Sequence, residues 1–168
     1  MGNWFSYRFL KGQDLIMFRG LHEHLLDDKG RVAFPAGFRE TLERLSGKEQ
    51  FVLTQSLYEP CLVAITEEDF AIQAKKVRSL PASNPAVMEF KRVVIASSCM
   101  LSIDKVGRVS IPKELRAYAG LEREVVWAGV IDRIEFWSKA RWDERNARRL
   151  QDTQTLEKLR GTLEGFGL

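Results

Sequence analysis

Short runs of alternating apolar and polar residues, each bounded by turn chemistry, fill most of the chain, and one succession of them occurs twice. Residues 22–26 form a largely apolar run, residues 27–30 supply turn residues, and residues 31–34 read as a second strand. Asp27 can accept backbone N–H bonds and Gly30 tolerates positive φ, so the segment between the strands predicts a tight turn. Pro35 then opens a helix at a position where its missing N–H costs nothing. Apolar spacing carries that helix over residues 36–45, to a stop at Ser46-Gly47. Strands at residues 51–56 and 61–65 complete a β-turn-β-α-β-β unit.

The second copy is recognisable residue by residue. Asp27, Gly30, Arg31, Val32 and Pro35 fall on Asp104, Gly107, Arg108, Val109 and Pro112 at a single offset of 77 residues. Phe38 falls on Leu115 and Arg39 on Arg116 at the same offset. After a three-residue shortening, Phe51-Val52-Leu53 resembles Val125-Val126-Trp127, and the run from Leu62 resembles the run from Ile134. Residues 113–119 therefore predict the second helix, ended by Gly120, with strands at 125–130 and 133–137. Two copies are too few for an open solenoid, which needs at least about three, so they predict a pseudo-dimer closing on itself.

The remaining segments frame these units. Thr66 is a cap for a helix whose first turn carries Glu67, Glu68 and Asp69, where negative charge is favoured. A break at residues 81–85 precedes a further helix over 86–97, and Ser138 caps another that carries Trp142 and ends near Arg149. Beyond Gln151 the chain is polar and reads as a loose tail. The domain plan is thus an extension of unknown role at 1–16, unit one at 21–68, a helical connector at 69–97, unit two at 98–141 and a C-terminal helix with tail at 142–168. The extension is aromatic in patches, with Trp4, Phe5, Tyr7 and Phe9, but lacks the clean apolar core and cleavage site of a signal peptide.

Composition narrows the function classes without choosing one. A hydrophobic share of 45% with a charged share of 29% suits an ordinary globular chain, and no run approaches a membrane span. The net charge of +3 permits a nucleic-acid partner without demanding one, so any DNA site must come from a few well-placed arginines. Cys61 and Cys99 are too few for a disulfide framework and read as buried reduced thiols of a cytosolic protein. His22 and His24 share a strand face, yet their spacing from the two cysteines matches no zinc pattern, and no cofactor is implied. No phosphate loop, nucleophile elbow or dinucleotide fingerprint occurs, which argues against an enzyme and against a small-molecule substrate. Trp127, Phe136, Trp137 and Trp142 fit a core or a subunit interface better than a base-stacking platform, and Phe136, Trp137 and Trp142 are expected to stay exposed on a two-unit chain and to drive a closed homo-oligomer larger than a dimer.

The repeated D-x-x-G-R motif carries the candidate chemistry. A guanidinium grips a guanine edge or a phosphate at two points only if it is held still. Asp27 before Arg31, and Asp104 before Arg108, can brace the arginine or tie down the turn's N–H groups, with Gly30 and Gly107 shaping the turn. Both pairs also fit a purely structural staple. Lys29 and Lys105 lie in the turns, within reach of phosphates that position a protein without specifying sequence.

The run from Gly107 to Arg116 resembles the core of AbrB-type transcription factors, and the paired motifs with the Met17-Phe18-Arg19-Gly20 start resemble the MraZ family. The resemblance spans residues 17 to about 149. It implies an α+β fold of two tandem swapped-hairpin AbrB-like units, a double-split β-barrel arrangement with flanking helices. It also implies a closed homo-oligomeric ring. The partner it implies is double-stranded DNA with short direct repeats, upstream of the division and cell-wall genes, which the protein represses. It favours DNA contact for Arg31 and Arg108, adds Arg39 and Arg116, and leaves Asp27 and Asp104 as braces. An antitoxin-like partner-binding module and a ring scaffold without DNA are the alternative readings.

Overall fold

The computed structural model describes residues 16–167, so the expectations for the extension at 1–16 lie, but for its last residue, outside the described residues. The chain runs β1 (Phe18–Leu25), β2 (Arg31–Ala33), α1 (Ala36–Ser46), β3 (Gln50–Gln55), β4 (Leu62–Ile65) and α2 (Glu67–Arg78). It continues through α3 (Pro85–Phe90), a π-helical turn (Lys91–Ile95), β5 (Cys99–Ser102), β6 (Arg108–Ser110) and α4 (Lys113–Ala119). The last elements are β7 (Glu124–Ile131), β8 (Ile134–Ser138), α5 (Lys139–Gln151) and α6 (Thr153–Glu164).

Neither unit completes itself. A six-stranded antiparallel sheet has the order β1-β7-β8-β4-β3-β5, so the first strand of each unit pairs with the third strand of the other. The short second strands form a separate ribbon, β2 against β6. Reading the order backwards exchanges equivalent strands and returns the same sheet, which is a pseudo-two-fold. Its axis passes through Val32 opposite Val109 and through Val63 opposite Glu135. Backbone bonds repeat the symmetry: Phe34 N–H reaches Gly107 carbonyl at 2.9 Å, and Ile111 N–H reaches Gly30 carbonyl at 2.8 Å. The swapped hairpin is therefore a feature of the fold.

Exchange makes one core where two small ones would be too thin to fold. Val32, Phe34, Phe38, Leu53, Val109, Leu115, Trp127 and Phe136 join one buried cluster from both units. Phe34 stacks on Phe51 with centroids 5.0 Å apart and meets Trp127 edge-on at 5.3 Å. Trp127 stacks on Phe136 and donates its indole N–H to the Ala33 carbonyl at 3.1 Å. Phe136 and Trp137, expected among apolar groups left exposed for a neighbouring subunit, are fully buried within the chain. Trp142 packs edge-on against Trp137 at 5.7 Å as α5 covers the outer face of the sheet.

Several local expectations shift. Strand β1 begins four residues earlier than its apolar run, because pairing with β7 carries it past Arg19 and Gly20. The helix expected over 86–97 changes to π geometry at Lys91, where the Ala96 N–H bonds the Lys91 carbonyl at 2.9 Å and Ser97 Oγ donates to Val93 carbonyl. The tail read as loose contains α6, whose cap Asp152 accepts from the Thr155 N–H at 2.9 Å. Cys61 is buried, with burial as the first cause pushing its thiol up to about 12, whereas Cys99 is only half-buried. His22 packs edge-on on Phe38 at 4.8 Å. Among the described residues no helix is long and apolar enough to cross a membrane.

Because Trp127 links both units and the ribbon, Trp127→Ala should cost about 3–5 kcal/mol, typical of emptying a large aromatic site. Urea denaturation should show one transition moving as a whole, since one core serves both units. Two separated transitions would contradict the single core.

Candidate nucleic-acid interface

The two motif turns close at opposite ends of the β2–β6 ribbon. In the first, the Asp27 N–H bonds the Arg31 carbonyl at 2.8 Å, and the Gly30 N–H bonds the Asp27 carbonyl at 2.9 Å. The second repeats both bonds with Asp104, Arg108 and Gly107 at the same lengths. Each aspartate then does both jobs open to it. Asp27 Oδ1 accepts from the Lys29 and Arg31 N–H groups at 2.9 and 2.8 Å, while Oδ2 accepts from Arg31 Nε at 2.8 Å and faces Nη2 at 2.7 Å. Asp104 Oδ1 accepts from the Val106 and Arg108 N–H groups at 3.0 and 2.8 Å, and its Oδ2 takes Arg108 Nε and Nη2, both at 3.1 Å.

Strand alternation fixes where the arginines stand. Val32 and Val109 are buried, so their ladder neighbours Arg31, Ala33, Arg108 and Ser110 occupy the opposite, outward face of the ribbon. Arg31 and Arg108 are each a little over one-third exposed, with Nη1 unpaired among the described residues. Lys29 and Lys105 are exposed in the adjoining turns. The ribbon thus presents two braced guanidinium groups on one side, flanked by two exposed ammonium groups.

The helix arginines reach across units. Arg116 on α4 lies over Gly30, and Arg39 on α1 approaches Gly107. Gly30 and Gly107 have φ of +77° and +80°, a region that disfavours side chains. Arg39 is also ion-paired with Glu49, through Nε at 2.6 Å and Nη2 at 2.5 Å, a partner that sequence analysis missed. The ten-residue separation of that pair leaves no local signal. Among the described residues no group of histidine, cysteine and carboxylate side chains is placed to hold a metal ion.

Hydrogen bonding from the Arg31 side chain holds the Asp27 carboxyl below its ordinary range, and the Arg108 N–H is the first cause of the same shift at Asp104. A depressed folded pKa contributes stability that is present above the unfolded value, near about 4, and lost as pH falls through the folded value. Acid titration of melting temperature should therefore be shallower for the Asp27→Asn, Asp104→Asn double variant than for the parent below about pH 4. Equal slopes would show that the braces do not persist in solution. Gly30→Ala should cost roughly 1–2 kcal/mol for the positive φ alone. It should destabilise more than Gly107→Ala, because a Cβ at Gly30 would press within 3.1 Å of the Ile111 carbonyl oxygen, whereas one at Gly107 would meet nothing closer than 4.0 Å.

Comparison with known proteins places the chain in a family. The family described as "MraZ protein, putative antitoxin-like" matches residues 17–93 and 95–160. A protein of Caldicellulosiruptor saccharolyticus named "Transcriptional regulator MraZ" is 36% identical over 152 residues, covering 90% of this chain and 100% of that protein. Proteins of the same name from Acetivibrio thermocellus and Thermomicrobium roseum are each 42% identical, over 76% and 75% of this chain and 85% and 84% of their own lengths. With both repeats matched and such relatives aligned over most of their length, the chain belongs to the MraZ family.

Proposed function

We propose that the protein is a sequence-specific DNA-binding transcriptional regulator, a repressor that binds short direct repeats upstream of division and cell-wall genes. The observation that carries the reading is the two-stranded ribbon with Arg31 and Arg108 braced on its outward face. A two-stranded ribbon fits the B-DNA major groove, where a guanidinium reads the O6 and N7 of guanine. Lys29 and Lys105 serve phosphates beside it. The name the relatives carry, transcriptional regulator, supports the same reading. Nothing in it requires catalysis, and it places the protein on the nucleoid in the cytoplasm.

Self-association into a closed ring belongs to this reading. The apolar surface available for it differs from the one the sequence suggested. Leu21, Leu25 and Ile131 on β1 and β7 are 48%, 58% and 52% exposed, and Leu159 and Phe166 at the chain's other end are 46% and 77% exposed. A ring multiplies weak single contacts by raising the effective concentration of each next site.

Arg31→Ala or Arg108→Ala should abolish binding to a duplex bearing the repeats upstream of the chain's own coding sequence, with the oligomer unchanged. A lost bidentate base contact costs about 1–3 kcal/mol per site. Titration beside size-exclusion chromatography reads both properties, and parental affinity in Arg31→Ala would make that arginine a staple only. For assembly, light scattering of the parent should report a species larger than a dimer, and Leu21→Ser, Leu25→Ser together should dissociate it. A parent that stays monomeric at micromolar concentration ends the ring reading and leaves the DNA reading to its own test.

A further inference from the structure

The two ends of the ribbon are structural copies but not electrostatic ones. Equivalent backbone bonds place Glu49 and Arg123 alike: the Glu49 carbonyl accepts from Ile103 at 3.0 Å, and the Arg123 carbonyl accepts from Leu26 at 2.8 Å. Arg39 therefore finds a carboxylate where Arg116, its repeat equivalent, finds the position of another arginine. The Arg116 side chain makes no hydrogen bond or ion pair among the described residues, and its Nε is buried without a partner. The Arg116 guanidinium instead rests on the glycine of the opposite turn. A Cβ at Gly30 would meet Arg116 Cζ and Nε at 2.8 and 2.9 Å, whereas one at Gly107 would first meet Arg39 Nη1 at 4.0 Å. The Glu49 pair goes with an Arg39 that stands farther off its glycine.

We propose that the end formed by Lys29, Arg31, Arg116 and Arg123 is the primary phosphate-binding end of each subunit, and that Glu49 latches Arg39 away from the phosphate at the other. This rests on the DNA-binding reading above. A phosphate arriving at Arg39 must displace a charge-assisted carboxylate pair already in place. A phosphate arriving at Arg116 displaces nothing and supplies acceptors to a cation that has none. Asp27, in the adjoining turn, does not compete, because Arg31 and two turn N–H groups already occupy its oxygens. Arg123 is exposed at the position equivalent to Glu49, so this end has a cation where the other has the latching carboxylate.

The test compares the full chain with Glu49→Gln, Arg39→Ala, Arg116→Ala and Arg123→Glu. Each is titrated with the repeat-bearing duplex over a range of salt concentrations, and its retention on immobilised heparin is recorded. Arg116→Ala should weaken duplex binding by about tenfold or more and flatten the log–log salt slope by about one phosphate. Arg39→Ala should stay within about threefold of the parent, since its guanidinium is already engaged. Glu49→Gln should tighten binding and steepen the slope by about one, and adding Arg39→Ala to it should cancel the gain. Arg123→Glu installs the latch at the other end without touching the Gly30 contact, so it should reproduce the loss even if Arg116→Ala melts early. Equal losses from Arg39→Ala and Arg116→Ala, or an unchanged Glu49→Gln, overturn the proposal. If the parent ignores the duplex, the DNA reading fails by itself. The heparin order then decides the rest: weaker retention for Arg116→Ala than for Arg39→Ala upholds the inequality, and equal retention ends it.

Discussion

Antiparallel pairing of β2 with β6 is the contact on which the core and the arginine face both depend. It is only three residue pairs long, with two flanking bonds that extend it to Phe34 and Ile111. On its inner side it buries Val32 and Val109 on the pseudo-two-fold axis and sets Phe34 against Phe51 and Trp127. On its outer side the same alternation turns Arg31 and Arg108 away from the core. A slip of one residue would bury both arginines and expose both valines, so core and surface enforce one register.

The turns that feed this ribbon couple it to its chemistry. Each aspartate satisfies turn N–H groups with one oxygen and orients a guanidinium with the other. The staple and the brace, which looked like alternatives in the sequence, are one arrangement. The glycine beside each aspartate serves its own turn through positive φ, and Gly30 also seats the helix arginine of the other unit. The ribbon and the seating of Arg116 on Gly30 therefore draw on both repeats, while each Asp–Arg brace is local to its own turn.

Much of this was legible in the chain. The repeat, the motif turns, both helices after Pro35 and Pro112 and the caps Thr66 and Ser138 follow from local chemistry, and local chemistry holds in the fold. The exchange of hairpins was available only through family resemblance, because an alternating pattern marks which side chains are buried and not which strand lies alongside. The burial of Phe136 and Trp137 was misjudged for the same reason: the face that α5 covers depends on where β8 sits in the sheet. The α6 helix was hidden by a polar composition, although Leu156, Leu159 and Leu163 fall at helical spacing behind an Asp cap. The Arg39–Glu49 pair had no local signal, yet setting residue 49 against residue 123 in the repeat alignment exposes the difference at once.

That difference is one a pair of identical chains could never carry. Had two separate single-unit chains formed this sheet, each substitution would appear on both sides of the axis, and the surface would read the same from either end. Joining the copies through α2 and α3 lets Glu49 and Arg123 occupy matching places in one molecule. The ribbon thereby acquires a head and a tail. On the proposed function, such a polar surface can tell one direction along a duplex from the other, which suits repeats that all point the same way and would be wasted on a palindrome.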